Sequence, residues 1–125
     1  MHDLTCETSA PGRARHWITE RLHAALRDDP DAGRLVEDAV LCASELVTNA
    51  LQAGCTAVTL RLHTDERSVR VSLIDDAPGQ PEPRVSGPLD LSGRGLMIID
   101  AVSRTWGVDR ADSGKEVWVE LGRTA

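Results

Sequence analysis

Apolar positions recur at helical spacing in the first half of the chain and alternate at a period of two in much of the second half. Ala14, Trp17, Ile18, Leu22, Ala25 and Leu26 mark one face of a helix over 10–27, with Ser9 as its cap and Pro11 in its first turn. Asp28-Asp29-Pro30 ends it, because a proline disfavours helical backbone in the residue before it. Asp31 then caps a second, longer helix that runs to Ala53 and stops at Gly54, its core-facing stripe formed by Val36, Val40, Ala43, Val47 and Ala50. Residues 3–8 alternate weakly and predict a short edge strand. Val58, Leu60 and Leu62 predict a strand over 57–62, and Val69, Val71 and Leu73 predict its hairpin partner over 69–74, joined by Asp65-Glu66-Arg67.

From Asp75 to Ser92 the pattern is lost. Pro78, Pro81, Pro83 and Pro88 fall there with Gly79 and Gly87, so the segment is irregular, and an irregular loop of this length in a small domain tends to be a functional lid. A short helix is predicted from Gly95 to Ser103. Strands over 106–110 and 115–121 follow about the turn Asp112-Ser113-Gly114. The order strand, two helices, two strands, lid, helix, two strands predicts a two-layer α/β sandwich: a mixed, mostly antiparallel sheet with helices packed on one face.

The 125 residues suit one domain with one core, and 41% hydrophobic with 27% charged residues is a globular composition. Phe and Tyr are absent, so the core must come from aliphatic side chains and three tryptophans. A net charge of -6 argues against direct nucleic-acid binding, since there is no cation excess to displace counterions from a phosphate backbone. No apolar run reaches the ~18 residues of a membrane span, and Met1 to Glu7 lacks the features of a signal peptide. Cys6, Cys42 and Cys55 form no C-x-x-C pair, and the four histidines fit no zinc-ligand spacing. The expectation is a soluble, cytoplasmic protein with free thiols.

Candidate chemistry begins on the second helix. Glu45 and Asn49 are four residues apart, hence one turn apart on one face. The pair is either a solvated helix edge or a hard-cation site, in which Asn supplies an oxygen to Mg²⁺ and Glu activates a nucleophile. Asp75 ends a strand ahead of the turn Asp76-Ala77-Pro78-Gly79, where a carboxylate could accept a hydrogen bond from an exocyclic amine. Gly93-Arg94-Gly95 stands where the loop enters a helix, and backbone N–H groups at such a junction bind anions. A P-loop is excluded, because around the sole lysine, Lys115, the motif's first glycine is replaced by Asp109 and its terminal Ser/Thr by Glu116. A Rossmann fingerprint is excluded as well, since Gly93-Arg94-Gly95 follows a lid rather than a first strand.

Taken in order, Ser44-Glu45-Leu46-Val47-Thr48-Asn49-Ala50, Asp75-x-Ala-x-Gly79 and Ser92-Gly93-Arg94-Gly95-Leu96 resemble the N, G1 and G2 boxes of the GHKL ATPase superfamily. The similarity is closest to its single-domain branch, the anti-sigma-factor serine/threonine kinases, and runs through nearly the whole chain. The resemblance implies a Bergerat-type ATP-binding fold over 1–125, with Mg²⁺ on Asn49 and Glu45 as general base. It implies Asp75 and Gly79 at the adenine, a lid over about 80–92, and Gly93, Arg94, Gly95 and Leu96 at the phosphates, with Arg84 a further candidate. It implies a sigma factor and an anti-sigma-factor antagonist as protein partners, the antagonist receiving phosphate on Ser or Thr, and a homodimer. The alternative is a degenerate domain of the same type that regulates its partner by contact alone. Ala53, Ala77 and Glu116 depart from the family pattern at positions often occupied by His, Gly and Thr. Alternation along the last strand sets Glu116, Trp118 and Glu120 on one face, and Lys115, Val117, Val119 and Leu121 on the other.

Overall fold

The computed structural model describes residues 1–76, 91–111 and 114–123. Its elements are β1 (His2–Thr5), α1 (Ala10–Ala25), α2 (Ala32–Gln52), β2 (Ala57–Thr64), β3 (Ser68–Asp75), α3 (Leu91–Val102), β4 (Thr105–Ala111) and β5 (Gly114–Gly122). The strands form one five-stranded sheet in the order β1-β2-β3-β5-β4. All four ladders are antiparallel, so the expected two-layer sandwich carries a wholly antiparallel sheet among the described strands.

One face of that sheet is apolar. Val58 and Leu60 on β2, Val69, Val71 and Leu73 on β3, and Val117, Val119 and Leu121 on β5 are all buried there. α1 adds Ala10, Ala14, Trp17, Ile18 and Leu22 to the same core. α2 buries Leu35, Val36, Ala39, Cys42, Ala43, Leu46, Val47 and Ala50, a broader band than the predicted stripe, and Val40 is only half-buried. The band widens because α2 packs against α1 and α3 as well as against β3 and β5. Its small alanines and cysteine suit a helix packed against four neighbouring elements. Cys42 lies wholly within this core, and burial, with Asp38 and Glu45 nearby, pushes its thiol up to about 12.

Neither predicted cap is made by the expected side chain. Ser9 and Asp31 stand at the two N-cap positions, and neither caps its helix with a side-chain hydrogen bond. Asp29 acts at the second helix instead, its carboxylate accepting the Asp31 N–H at 2.7 Å. The same carboxylate takes Arg123 Nη2 at 2.7 Å and Nε at 2.9 Å, while Arg123 Nη1 donates to the Asp65 carbonyl at 2.6 Å. Arg123 thus clamps the α1–α2 turn and the β2–β3 hairpin to the end of β5. A cavity of about 780 Å³ opens beside this clamp, lined by Asp28, Asp29, Asp31, Glu66 and Arg123, at the end of the sheet away from Asp75.

The Asp31 N–H, helped by Arg123 and opposed by desolvation, lowers the Asp29 carboxyl below its ordinary 3.8. A depressed carboxylate adds stability above its unfolded pKa and loses that contribution as pH falls through the folded value. Asp29→Asn is therefore expected to destabilise the protein at neutral pH and to converge with the parent at strongly acid pH. Urea denaturation across the acid range checks this; a constant gap between the two proteins at every pH would refute it.

The cysteines depart from expectation. Cys6 and Cys55 form a disulfide across 49 residues of sequence, with their Cα atoms 6.0 Å apart. The antiparallel β1–β2 ladder pairs Thr5 with Ala57, and just beyond it the Cys6 N–H donates to the Thr56 carbonyl at 2.9 Å, so Cys6 and Cys55 become neighbours. The free-thiol expectation holds for Cys42 only. Among the described residues, no helix is long and apolar enough to cross a membrane.

Candidate functional site

The last turns of α2 and the end of β3 build the site. Glu45 and Asn49 fall within α2, both half-buried, with Ser44 and Thr48 beside them on the same flank. Arg15 of α1 donates to Ser44 Oγ at 3.1 Å, tying the two helices together one residue from Glu45. Gly54, at a φ of 88°, then turns the chain out of α2, a backbone conformation that glycine adopts without strain.

Asp75 closes β3 and is 1% exposed. It opposes Val58 on one side and Lys115 on the other, which sets it on the helix-covered face of the sheet. Gly114 opens β5 hard against it. A Cβ at Gly114 would run into the Asp75 carbonyl oxygen and come within 3.1 Å of the Asp76 Cα, so only glycine allows this approach. Glu116 lies on the opposite face, across the ladders from Ile74 and Asp109. The two carboxylates therefore do not share a pocket, as the alternation along β5 anticipates.

Asp76, next to Asp75, is an anchor. Its carboxylate accepts the Thr56 N–H at 2.8 Å, the Ala57 N–H at 3.3 Å and the Thr56 hydroxyl. The Thr56 hydroxyl, followed by the two backbone N–H groups, holds the Asp76 carboxyl below its ordinary 3.8. Sequence reasoning singled out the first aspartate of this pair and missed the second. The available signal is Thr56 at the start of β2, a hydroxyl placed to meet a strand-end carboxylate one strand away.

The glycine-rich motif is placed differently from expectation. α3 begins at Leu91, not Gly95, so Leu91 and Ser92 belong to the helix rather than to a lid. Gly93 falls in the first turn, where backbone N–H groups have no intrahelical acceptor, whereas Gly95 sits in the second turn. Arg94 and Leu96 are helical with them. Gly79, Ala77, Arg84 and the expected lid over 80–90 lie outside the described residues.

The site therefore combines a buried aspartate at the end of β3 with a helix, packed on β3 and β5, that bears Glu45 and Asn49. The family model described as the histidine kinase-like ATPase domain matches residues 7–121, and the chain belongs to that family. Among solved structures it is similar to the histidine kinase domain of the Erythrobacter litoralis EL346 blue-light activated histidine kinase. That match has a TM-score of 0.57 at 20% sequence identity, covering 89% of this chain and 60% of the other. The likeness is one of fold, and this chain spans under two thirds of the matched chain. No curated protein matches the sequence.

Proposed function

We propose that this domain binds Mg²⁺-ATP, transfers the γ-phosphate to a serine or threonine of an antagonist protein, and sequesters a sigma factor, as its likeness to anti-sigma-factor kinases suggests. The observation that carries the reading is the buried Asp75 carboxylate at the end of β3, a strand on which α2, the helix bearing Glu45 and Asn49, packs. A cytoplasmic setting and a homodimer belong to the same reading.

The residues present fit the group. Asp75 is an acceptor shielded from water, suited to an exocyclic amine, and Gly114 lets β5 close directly on the backbone of Asp75 and Asp76. Asn49 offers a neutral amide oxygen of the kind a hard cation takes alongside phosphate oxygens. Bound Mg²⁺ would supply charge neutralisation for phosphoryl transfer, the main demand of that reaction. Glu45, one turn from Asn49 and half-exposed, would take the proton from the acceptor hydroxyl. Gly93 at the start of α3 would offer its N–H to a phosphate.

The metal and the base separate experimentally. Asn49→Ala is expected to lose the Mg²⁺-dependent part of ATP affinity. Glu45→Ala is expected to keep most of the affinity and lose on the order of 10²–10⁴-fold in transfer, because a base acts in the transition state. Calorimetry with and without Mg²⁺, and transfer from γ-labelled ATP to candidate antagonists, read the two effects. Transfer at the parental rate by Glu45→Ala would remove Glu45 as the base. A parent protein that binds ATP and a sigma factor yet labels no antagonist would be a contact regulator instead.

A further inference from the structure

We propose that the Cys6–Cys55 disulfide is a redox-sensitive clamp on the nucleotide site, holding the end of β3 in place when oxidised and loosening it when a dithiol opens the bond. The proposal rests on the nucleotide reading above.

A short, continuous path joins the disulfide to Asp75. Cys55 follows the Gly54 turn at the end of α2, and its N–H donates to the Ala50 carbonyl at 3.1 Å, one residue after Asn49. On the other side Cys55 is bonded to Thr56, whose carbonyl accepts the Cys6 N–H at 2.9 Å. Thr56, through its N–H and its hydroxyl, and Ala57, through its N–H, hold the Asp76 carboxylate, and Asp76 is bonded to Asp75. The two sides of the site, the end of α2 and the end of β3, therefore meet at the dipeptide Cys55-Thr56.

The crosslink adds a covalent tie from that dipeptide to β1. β1 is an edge strand of 4 residues. So short a ladder holds weakly by itself, and the disulfide closes its end. Both bridged residues are half-buried, so a reductant reaches the bond from solvent, while Cys42 is sealed in the core and takes no part. Opening the bond is a two-electron step. One thiolate of a small dithiol attacks one sulfur, the S–S bond breaks, and the resulting mixed disulfide is resolved by the second thiol of the reductant. Two protonated cysteines remain on the protein, and the dithiol leaves as its own disulfide. The edge strand can then fray, and the Thr56–Asp76 contact loses its backing.

The test compares the protein oxidised under mild conditions with the same protein reduced by dithiothreitol. Thiol counting after denaturation should find Cys42 alone free in the first and all three cysteines free in the second. On reduction, the Kd for Mg²⁺-ATP should rise about five- to tenfold, a typical coupling between linked sites. Amide hydrogen exchange at Thr56 and Ala57 should become faster than at Val71 and Val119, which follow only the drop in global stability. Asp76→Ala should bind ATP weakly in both states and lose the redox dependence. Equal ATP affinity in the two states, unchanged exchange at Thr56 and Ala57, or three free thiols after oxidation would overturn the clamp while leaving the nucleotide reading intact. Absence of ATP binding in either state would remove that reading and the clamp with it.

Discussion

Asp75→Asn is expected to raise the Kd for ATP by roughly 10- to 100-fold, while the parent prefers ATP to GTP. The substitution keeps the shape of the side chain and removes its charge, so one strong charge-assisted acceptor becomes a neutral carboxamide whose NH₂ group can only donate. A hydrogen bond to a charged group contributes about 1.5–3 kcal/mol, which corresponds to that range in affinity. The effect should be large because Asp75 is 1% exposed, and water cannot compensate for a poorer partner there. GTP presents a carbonyl where ATP presents an amine, and two facing acceptors repel. Calorimetric titration of both nucleotides, with the thermal midpoint of the variant as a control for folding, measures the prediction. Equal affinity of the parent for ATP and GTP would remove Asp75 from the adenine.

The second large effect concerns the fold itself. Replacing Cys6 and Cys55 together with serine is expected to cost about 4 kcal/mol, the chain-entropy value for closing a loop of roughly this length. The closed loop spans 49 residues and contains both α1 and α2, so the crosslink restricts most of the helical layer in the unfolded chain. In a domain of this size that cost lowers the melting temperature by roughly 10–20 °C. Differential scanning calorimetry of the double variant, and of the parent with and without dithiothreitol, reads it. A variant that melts with the oxidised parent would show that the bridge adds nothing to stability.

Much of this architecture is legible in the sequence, for identifiable reasons. The alternation of Val58, Leu60 and Leu62 against Val69, Val71 and Leu73 marks a hairpin buried on one side, and the structure pairs Leu60 with Leu73 and Leu62 with Val71 on that side. The spacing of Glu45 and Asn49 sets them on one helical flank without further information, and alternation along β5 turns Glu116 away from Asp75. What is not legible depends on contacts between distant segments. The disulfide follows from the register of an edge strand, and no pattern within residues 3–8 specifies which strand they join. The start of α3 is hidden because two glycines in three residues read as loop, each costing about 1 kcal/mol in a helix that packing against α2 sustains. Asp31 does not cap α2 with its side chain; its own N–H is instead held by the Asp29 carboxylate, which Arg123, at the far end of the chain, holds in place.

The lack of Phe and Tyr, met first as a constraint on the core, also leaves near-ultraviolet emission to three indoles in three different surroundings. Trp17 is stacked on His2 with Arg21 over its ring, and so senses the docking of α1 on β1. Trp118 lies on the uncovered face of the sheet, under Arg70 and hydrogen-bonded to Asp109, where a binding surface would quench or shift it. Trp106 donates its indole N–H to Asp100 of α3 at 3.1 Å, making it the optical probe nearest the helix that carries Gly93. Single-tryptophan versions of the chain would therefore resolve motion of α1, of the open sheet face and of α3 as separate signals, without any attached dye.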